Sequence, residues 1–169
     1  MTTTKTPRSF TVRPATEADS AGILACLHAA FEVYRNRYSP AAFVDTVLTA
    51  ATLQQRLASM HLFVAISVTG EVAGTIGCQV VEAKADSKEG HIRGMAVLPA
   101  WQGSGVAAQL LLSAEAELRA HGCAWISLDT TEPLSAAQRF YQKNGFRRSG
   151  KITDFFAMPL IEYVKTLTD

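Results

Sequence analysis

The sequence has no excess of charge: 16 Lys plus Arg stand against 15 Asp plus Glu, a formal net charge of +1, and no basic run offers a track for phosphates. A nucleic-acid partner is therefore not expected. Cysteine is scarce. Cys26, Cys78 and Cys123 are odd in number and far apart, which excludes a disulfide framework or a C-x-x-C metal pair and points to reduced thiols in a cytoplasmic protein. His28, His61, His91 and His121 are equally scattered, so no metal site is expected. No apolar run approaches membrane-spanning length, and the opening MTTTKTPRSF has no apolar centre of the signal-peptide kind. No membrane association is expected, and residues 1–9 read as a flexible polar tail.

What is present is core. With 169 residues, 48% of them hydrophobic, the chain can bury one well-packed interior, and 10–169 reads as a single domain. Phe10 to Arg13 is strand-like, and Thr16 with Asp19 opens a helix whose apolar residues recur at helical spacing through Tyr34. Pro40 starts a second helix, and Thr52 with Gln55 caps a third running to Met60. The period then changes. His61–Val68 and Glu71–Glu82 form a hairpin around Thr69-Gly70, followed by a polar loop at 83–90. His91–Leu98 is a strand, Gly103–His121 a helix, and Trp125–Thr130 a strand, a right-handed crossover that makes two strands parallel. Ser135–Asn144 is a further helix, and Phe146–Val164 supplies two last strands.

The turn WQGSGV is where a strand hands over to a helix. Glycine costs helix stability, so Gly103 and Gly105 either make a tight turn or let something approach the main chain. A helix start offers free amides and the positive end of the macrodipole, a ready anion site to which Gln102 and Ser104 can add donors. The sequence has neither a G-x-x-x-x-G-K-[ST] phosphate loop nor a G-x-G-x-x-G fingerprint.

HIRGMAVLP, WQGSGVAAQLL and AAQRFYQKNGF, in that order, resemble the GCN5-related N-acetyltransferase (GNAT) superfamily. The R/Q-x-x-G-x-G/A signature is met by Gln102, Gly105 and Ala107, and A-x-x-[FL]-Y-x-x-x-G-F by Ala137, Phe140, Tyr141, Gly145 and Phe146. The resemblance runs from about Phe10 to Val164 and implies an α/β fold: a mixed, mostly antiparallel sheet of about six to seven strands, splayed between the fourth and fifth, with about four flanking helices. It also implies acetyl-CoA, its arm held along Met95, Ala96 and Val97, its diphosphate on the amides of Gly103, Ser104, Gly105, Val106 and Ala107. Leu134 stands where many relatives carry an Asn, and Ser135, or else Thr130 and Thr131, is the expected substitute.

Acetyl transfer needs a neutral amine, an oxyanion donor and a proton for the leaving thiolate. By the same resemblance an amide near Val97 serves the oxyanion and Tyr141 is the acid; a plain core role beside Phe140 is the alternative. For the base, Arg93 and Gly94 replace the family's strand carboxylate. Glu89 and His91 lie earlier on that strand and Glu32 on the first helix; His91, titrating near neutrality, is the candidate, with an ordinary surface role or a water-mediated route as alternatives. The acceptor, a small-molecule or peptide amine, would meet Phe31, Glu32, Tyr34 and Phe155. Glu32 and Asp154 suit a cation and Arg35 and Arg37 an acid group, unless those arginines merely close a helix. A weakly catalytic acyl-CoA-binding sensor is the alternative function, and open edge strands leave a homodimer open.

Overall fold

The computed structural model describes residues 8–81 and 87–167. Most of the expected tail lies outside them, but at its end Arg8 is tied down, donating to the Ala100 carbonyl at 2.7 Å and lying 5.2 Å over the Trp101 ring. The chain runs β1 (Phe10–Pro14), α1 (Ser20–Phe31), α2 (Pro40–Val47), α3 (Ala50–Ser59), β2 (His61–Ser67), β3 (Val72–Val81) and β4 (Lys88–Val97). It continues through α4 (Val106–Ala120), β5 (Cys123–Thr131), α5 (Ser135–Lys143), β6 (Arg147–Phe155) and β7 (Met158–Thr166). The strands form one sheet in the order β1-β2-β3-β4-β5-β7-β6, in which only β4 and β5 pair in parallel. This is the mixed, mostly antiparallel architecture expected.

Both faces of the sheet are covered. On one, Leu110, Ala114 and Leu118 of α4 pack on Ile76, Ile126 and Tyr163; on the other, Ile23, Leu27 and Leu53 of α1 and α3 pack on Leu62 and Val64. A strand sandwiched this way reads as an unbroken apolar run, and β3 is buried from Val72 through Cys78. No helix among the described residues is long and apolar enough to cross a membrane.

Several element limits differ from expectation, each for a local reason. Helix α1 stops at Phe31, and Glu32–Arg37 tightens into a 3₁₀ segment. Residues three apart eclipse in that geometry, which brings Arg35 onto Glu32. The cap of α3 is Thr49 rather than Thr52: the Thr49 hydroxyl accepts from the Thr52 amide at 3.2 Å, and the Thr52 hydroxyl accepts from the Thr49 amide at 2.8 Å. Threonine here takes the place of the usual glutamate. Strand β4 begins at Lys88, because Glu89 and Gly90 pair with Val81 and Val80; the rest of the expected 83–90 loop lies largely outside the described residues. Finally, α4 begins at Val106, not Gly103. Both Gly103 (φ 76°) and Gly105 (φ 91°) are left-handed, which a continuous right-handed helix cannot include.

Candidate active site

Strands β4 and β5 are hydrogen-bonded from Lys88–Ile92 to Cys123–Leu128 and then part company. Their separation is helped by a bulge: between Arg93 and Ala96, β4 carries one residue more than β3 opposite, with Gly94 at φ 69°. The gap opens into a cleft of about 700 Å³, bordered by His91–Val97 of β4 and Leu128–Thr131 of β5. Strand alternation decides which backbone groups face it. The Leu98 amide donates to Ala73 of β3, so Ala96, two residues earlier, also turns toward β3, while Met95 and Val97 turn into the gap. Ala96 borders the cleft too, with its own backbone groups turned toward β3.

At the floor of the gap lies the glycine turn. Trp101 anchors it, buried and donating from Nε1 to Glu71 at 2.9 Å. The amides of Gln102 and Ser104 bond back to Pro99 and Trp101, and the Ser104 hydroxyl also bonds to the Trp101 carbonyl. Ser104 is therefore used up within the turn and does not line the cleft, unlike Gln102, Gly103, Gly105, Val106 and Ala107. The first backbone bond into α4 runs from Gln109 to Gly105 at 3.1 Å, leaving the amides of Val106, Ala107 and Ala108 without helical partners. A Cβ at Gly103 or Gly105 would meet nothing within 4 Å, so the glycines keep open a space directly before these amides. With the positive end of a 15-residue helix behind it, the space suits an anion.

Above it stands Tyr141 of α5, its ring held edge-on between Phe140 and Phe146 at 5.5 and 5.6 Å. The side chain is buried, yet its hydroxyl has no hydrogen-bond partner among the described residues and borders the cleft. Burial pushes the phenol pKa well up, so it stays protonated. Thr130 also borders the cleft, but its hydroxyl is itself buried and has no hydrogen-bond partner among the described residues. Leu134 lines the cleft, whereas Ser135 does not, its amide bonding back to Pro133 at 2.9 Å.

His91 lies on the cleft wall in a hydrogen-bonded row that sequence reasoning missed. In the parallel register His91 sits opposite Ser127, and the Ser127 hydroxyl donates to Glu89. Its single proton so committed, Ser127 must accept from His91 Nδ1 at 2.9 Å. The remaining nitrogen, Nε2, then carries the lone pair and stands 3.8 Å from Asp129 Oδ2. Burial lowers the His91 pKa against the pull of Asp129, and burial raises that of Asp129. The signal for the row was the alternation in WISLDT, which puts Ser127 and Asp129 on one face. Two of the other histidines, His61 and His121, meet over Glu117 at 3.4 and 3.7 Å, and none of the three lines the cleft.

The far end of the cleft is aromatic, lined by Phe31, Tyr34, Tyr38 and Phe155, with the Tyr38 and Thr131 hydroxyls bonded to each other. Its charged groups are not the expected ones. Glu32 and Arg35 bond to each other at 2.8 Å on the outside, Arg35 stacks 4.2 Å over Phe43, and neither borders the cleft; nor do Arg37 and Asp154. Asp45, Arg56 and Arg93 do instead.

Comparison with known proteins agrees with this geometry. A relative from Stenotrophomonas maltophilia, aminoglycoside N(6')-acetyltransferase type 1, is 30% identical over 154 residues, covering 89% of this chain and 94% of its own. Among solved structures, the PaiA N-acetyltransferase of Thermoplasma acidophilum in complex with coenzyme A superposes with a TM-score of 0.76 at 17% identity, covering 94% of this chain and 99% of its own. A chain of the NatC complex bound to Gag peptide and CoA gives 0.74 at 20% identity, covering 95% and 99%. The sequence model of the acetyltransferase (GNAT) family matches residues 25–146, and the chain belongs to that family.

Proposed function

We propose that residues 10–169 form one catalytic domain that moves the acetyl group of acetyl-CoA to a primary amine by direct attack. The observation that carries this reading is the continuity of the cleft: a strand edge with the backbone of Met95 and Val97 free runs straight into the amides before α4. An extended amide-bearing arm ending in a diphosphate fits both halves. Three unpaired cysteines, all buried, agree with a reducing cytoplasm.

When bound, acetyl-CoA would supply a thioester carbonyl. Gly103, Gly105, Val106 and Ala107 would hold the diphosphate through main-chain amides. The Val97 amide, turned into the gap, would donate to the oxygen that gains charge. His91 would take the amine proton at Nε2, where the lone pair is fixed by Ser127 and Glu89, and Asp129 would steady the imidazolium. Tyr141 would return a proton to the thiolate; a thiol of pKa about 8.5 needs little help, so a weak acid is enough. Phe31, Tyr34 and Phe155 would wall the acceptor, and the aminoglycoside named for the 30% relative is one amine to try.

Thermal unfolding with acetyl-CoA, against ATP and NAD, tests the reading. Ligand at about 100 times its Kd adds roughly 2.7 kcal/mol, a rise of about 5–10 °C for a chain this size. A rise specific to acetyl-CoA, followed by thiol release with an amine, is the expected result; no rise at any concentration refutes it.

A further inference from the structure

Besides His91, four charged side chains border the cleft, Asp45, Asp129, Arg56 and Arg93, and among the described residues Arg56 is the one whose charge is not paired. Arg93 donates to Asp45 at 3.1 Å, and this pair uses the carboxylate. Arg56, from α3, also borders the cleft, half-buried, yet its guanidinium makes no ion pair or hydrogen bond among the described residues. Its position is tightly defined: a Cβ on Gly94 would lie 2.7 Å from Arg56 Nη1, so the guanidinium rests on the bulge of β4, beside the point where Met95 and Val97 turn into the gap. Burial and the nearby Arg93 lower its pKa to about 10, with Asp45 opposing. A guanidinium so placed is short of an anion, and its planar fork matches a carboxylate or phosphate.

Resting on the acetyl-transfer reading, we propose that Arg56, assisted by Arg93, is an anion subsite, and that the acceptor carries an acid group close to its amine. The rest of the pocket fits such a molecule. Phe31, Tyr34, Tyr38 and Phe155 supply an apolar wall for its body. His91 and Asp129, on the same cleft, suit its amino end. Beside Arg56 two guanidiniums face the single carboxylate of Asp45, so a second ammonium group placed there, as in a polycation, is disfavoured.

The test uses matched acceptors that differ by the acid alone: phenylalanine against phenethylamine, and phosphoethanolamine against ethanolamine, with kanamycin as the polycation, read by thiol release from acetyl-CoA. The acid-bearing member of a pair is expected to exceed its partner by about tenfold or more in kcat/KM. Arg56→Gln erases that preference through KM without altering acetyl-CoA affinity, and Arg56→Lys restores part of it. A second readout needs no turnover: inorganic phosphate added to the CoA-saturated protein, whose α4 amides are already occupied, raises the unfolding midpoint of the wild type and not of Arg56→Gln. Equal turnover within pairs, a preference for kanamycin, or the same phosphate response in both proteins overturns the subsite. Failure of acetyl-CoA itself to bind is a separate result, which removes the acetyl-transfer reading.

Discussion

Gly105→Ala separates what the turn before α4 costs from what it binds. Gly105 has φ 91° and nothing within 4 Å of its Cβ position. The methyl therefore clashes with no protein atom, and the stability cost is conformational, about 1–2 kcal/mol, or about 2–8 °C in midpoint. Gly150 on β6 is a matched control, since its φ is 93° and its Cβ would also meet nothing. Gly150→Ala should lose a similar amount of stability. Only at position 105 does the methyl fill the space before the amides of Val106 and Ala107. If a diphosphate belongs there, Kd for acetyl-CoA rises about tenfold or more, some 1.4 kcal/mol. At a concentration about 100 times the wild-type Kd, ligand stabilisation then falls from about 2.7 to about 1.4 kcal/mol in Gly105→Ala and stays at about 2.7 in Gly150→Ala. Differential scanning fluorimetry with and without acetyl-CoA measures both. An equal ligand shift in the two variants refutes the diphosphate site.

Tyr141→Phe removes a hydroxyl that bonds nothing among the described residues, so folding and acetyl-CoA affinity hold while kcat falls about 10- to 100-fold; unchanged turnover ends its role as acid. His91, its pKa lowered by burial, is neutral above the ordinary value of about 6.5, so activity should fall only as pH drops below that range; His91→Gln lowers kcat about 100-fold and abolishes this acid limb, and a limb that persists assigns the base elsewhere. Burial raises the Cys26 and Cys78 thiols to about 12. Folded pKa values above unfolded ones mean stability that is whole below about pH 8.5 and is lost as pH climbs toward 12, at up to about 2.7 kcal/mol per pH unit for the two together. Urea midpoints at pH 8 and 10.5 should diverge, and Cys26→Ala with Cys78→Ala should flatten the decline; an unaltered decline refutes burial as its cause.

Much of the scaffold was legible because its punctuation is local. Pro40, Thr69-Gly70 and Gly145 mark boundaries through their own backbone preferences, and the structure has turns or ends at each. Gly103 and Gly105 announced the turn but not the first residue of α4, because both take a left-handed conformation that the letter Gly permits without declaring. The cleft's polar groups were harder. The tie between Ser127, His91 and Glu89 depends on the parallel register of β4 and β5, strands joined through the whole of α4. At the acceptor end the error was of range. Glu32 and Arg35 looked available because they share a segment, and for the same reason they satisfy each other. Asp45, Arg56 and Arg93 lie on three different elements, and only tertiary packing brings them to one cavity.

The indole that anchors the glycine turn also carries a signal. Trp101 borders the cleft, its nitrogen pinned to Glu71 and its face covered by Arg8, so it is held rigidly beside the proposed anion space. The chain's other tryptophan, Trp125, lies on the paired stretch of β5, opposite Glu89 and Thr166. A charged ligand entering at Gly103 would change the field around one indole and leave the other as an internal standard. The protein thus has its own fluorescent reporter: Trp101→Phe should abolish the emission change during an acetyl-CoA titration, and Trp125→Phe should preserve it.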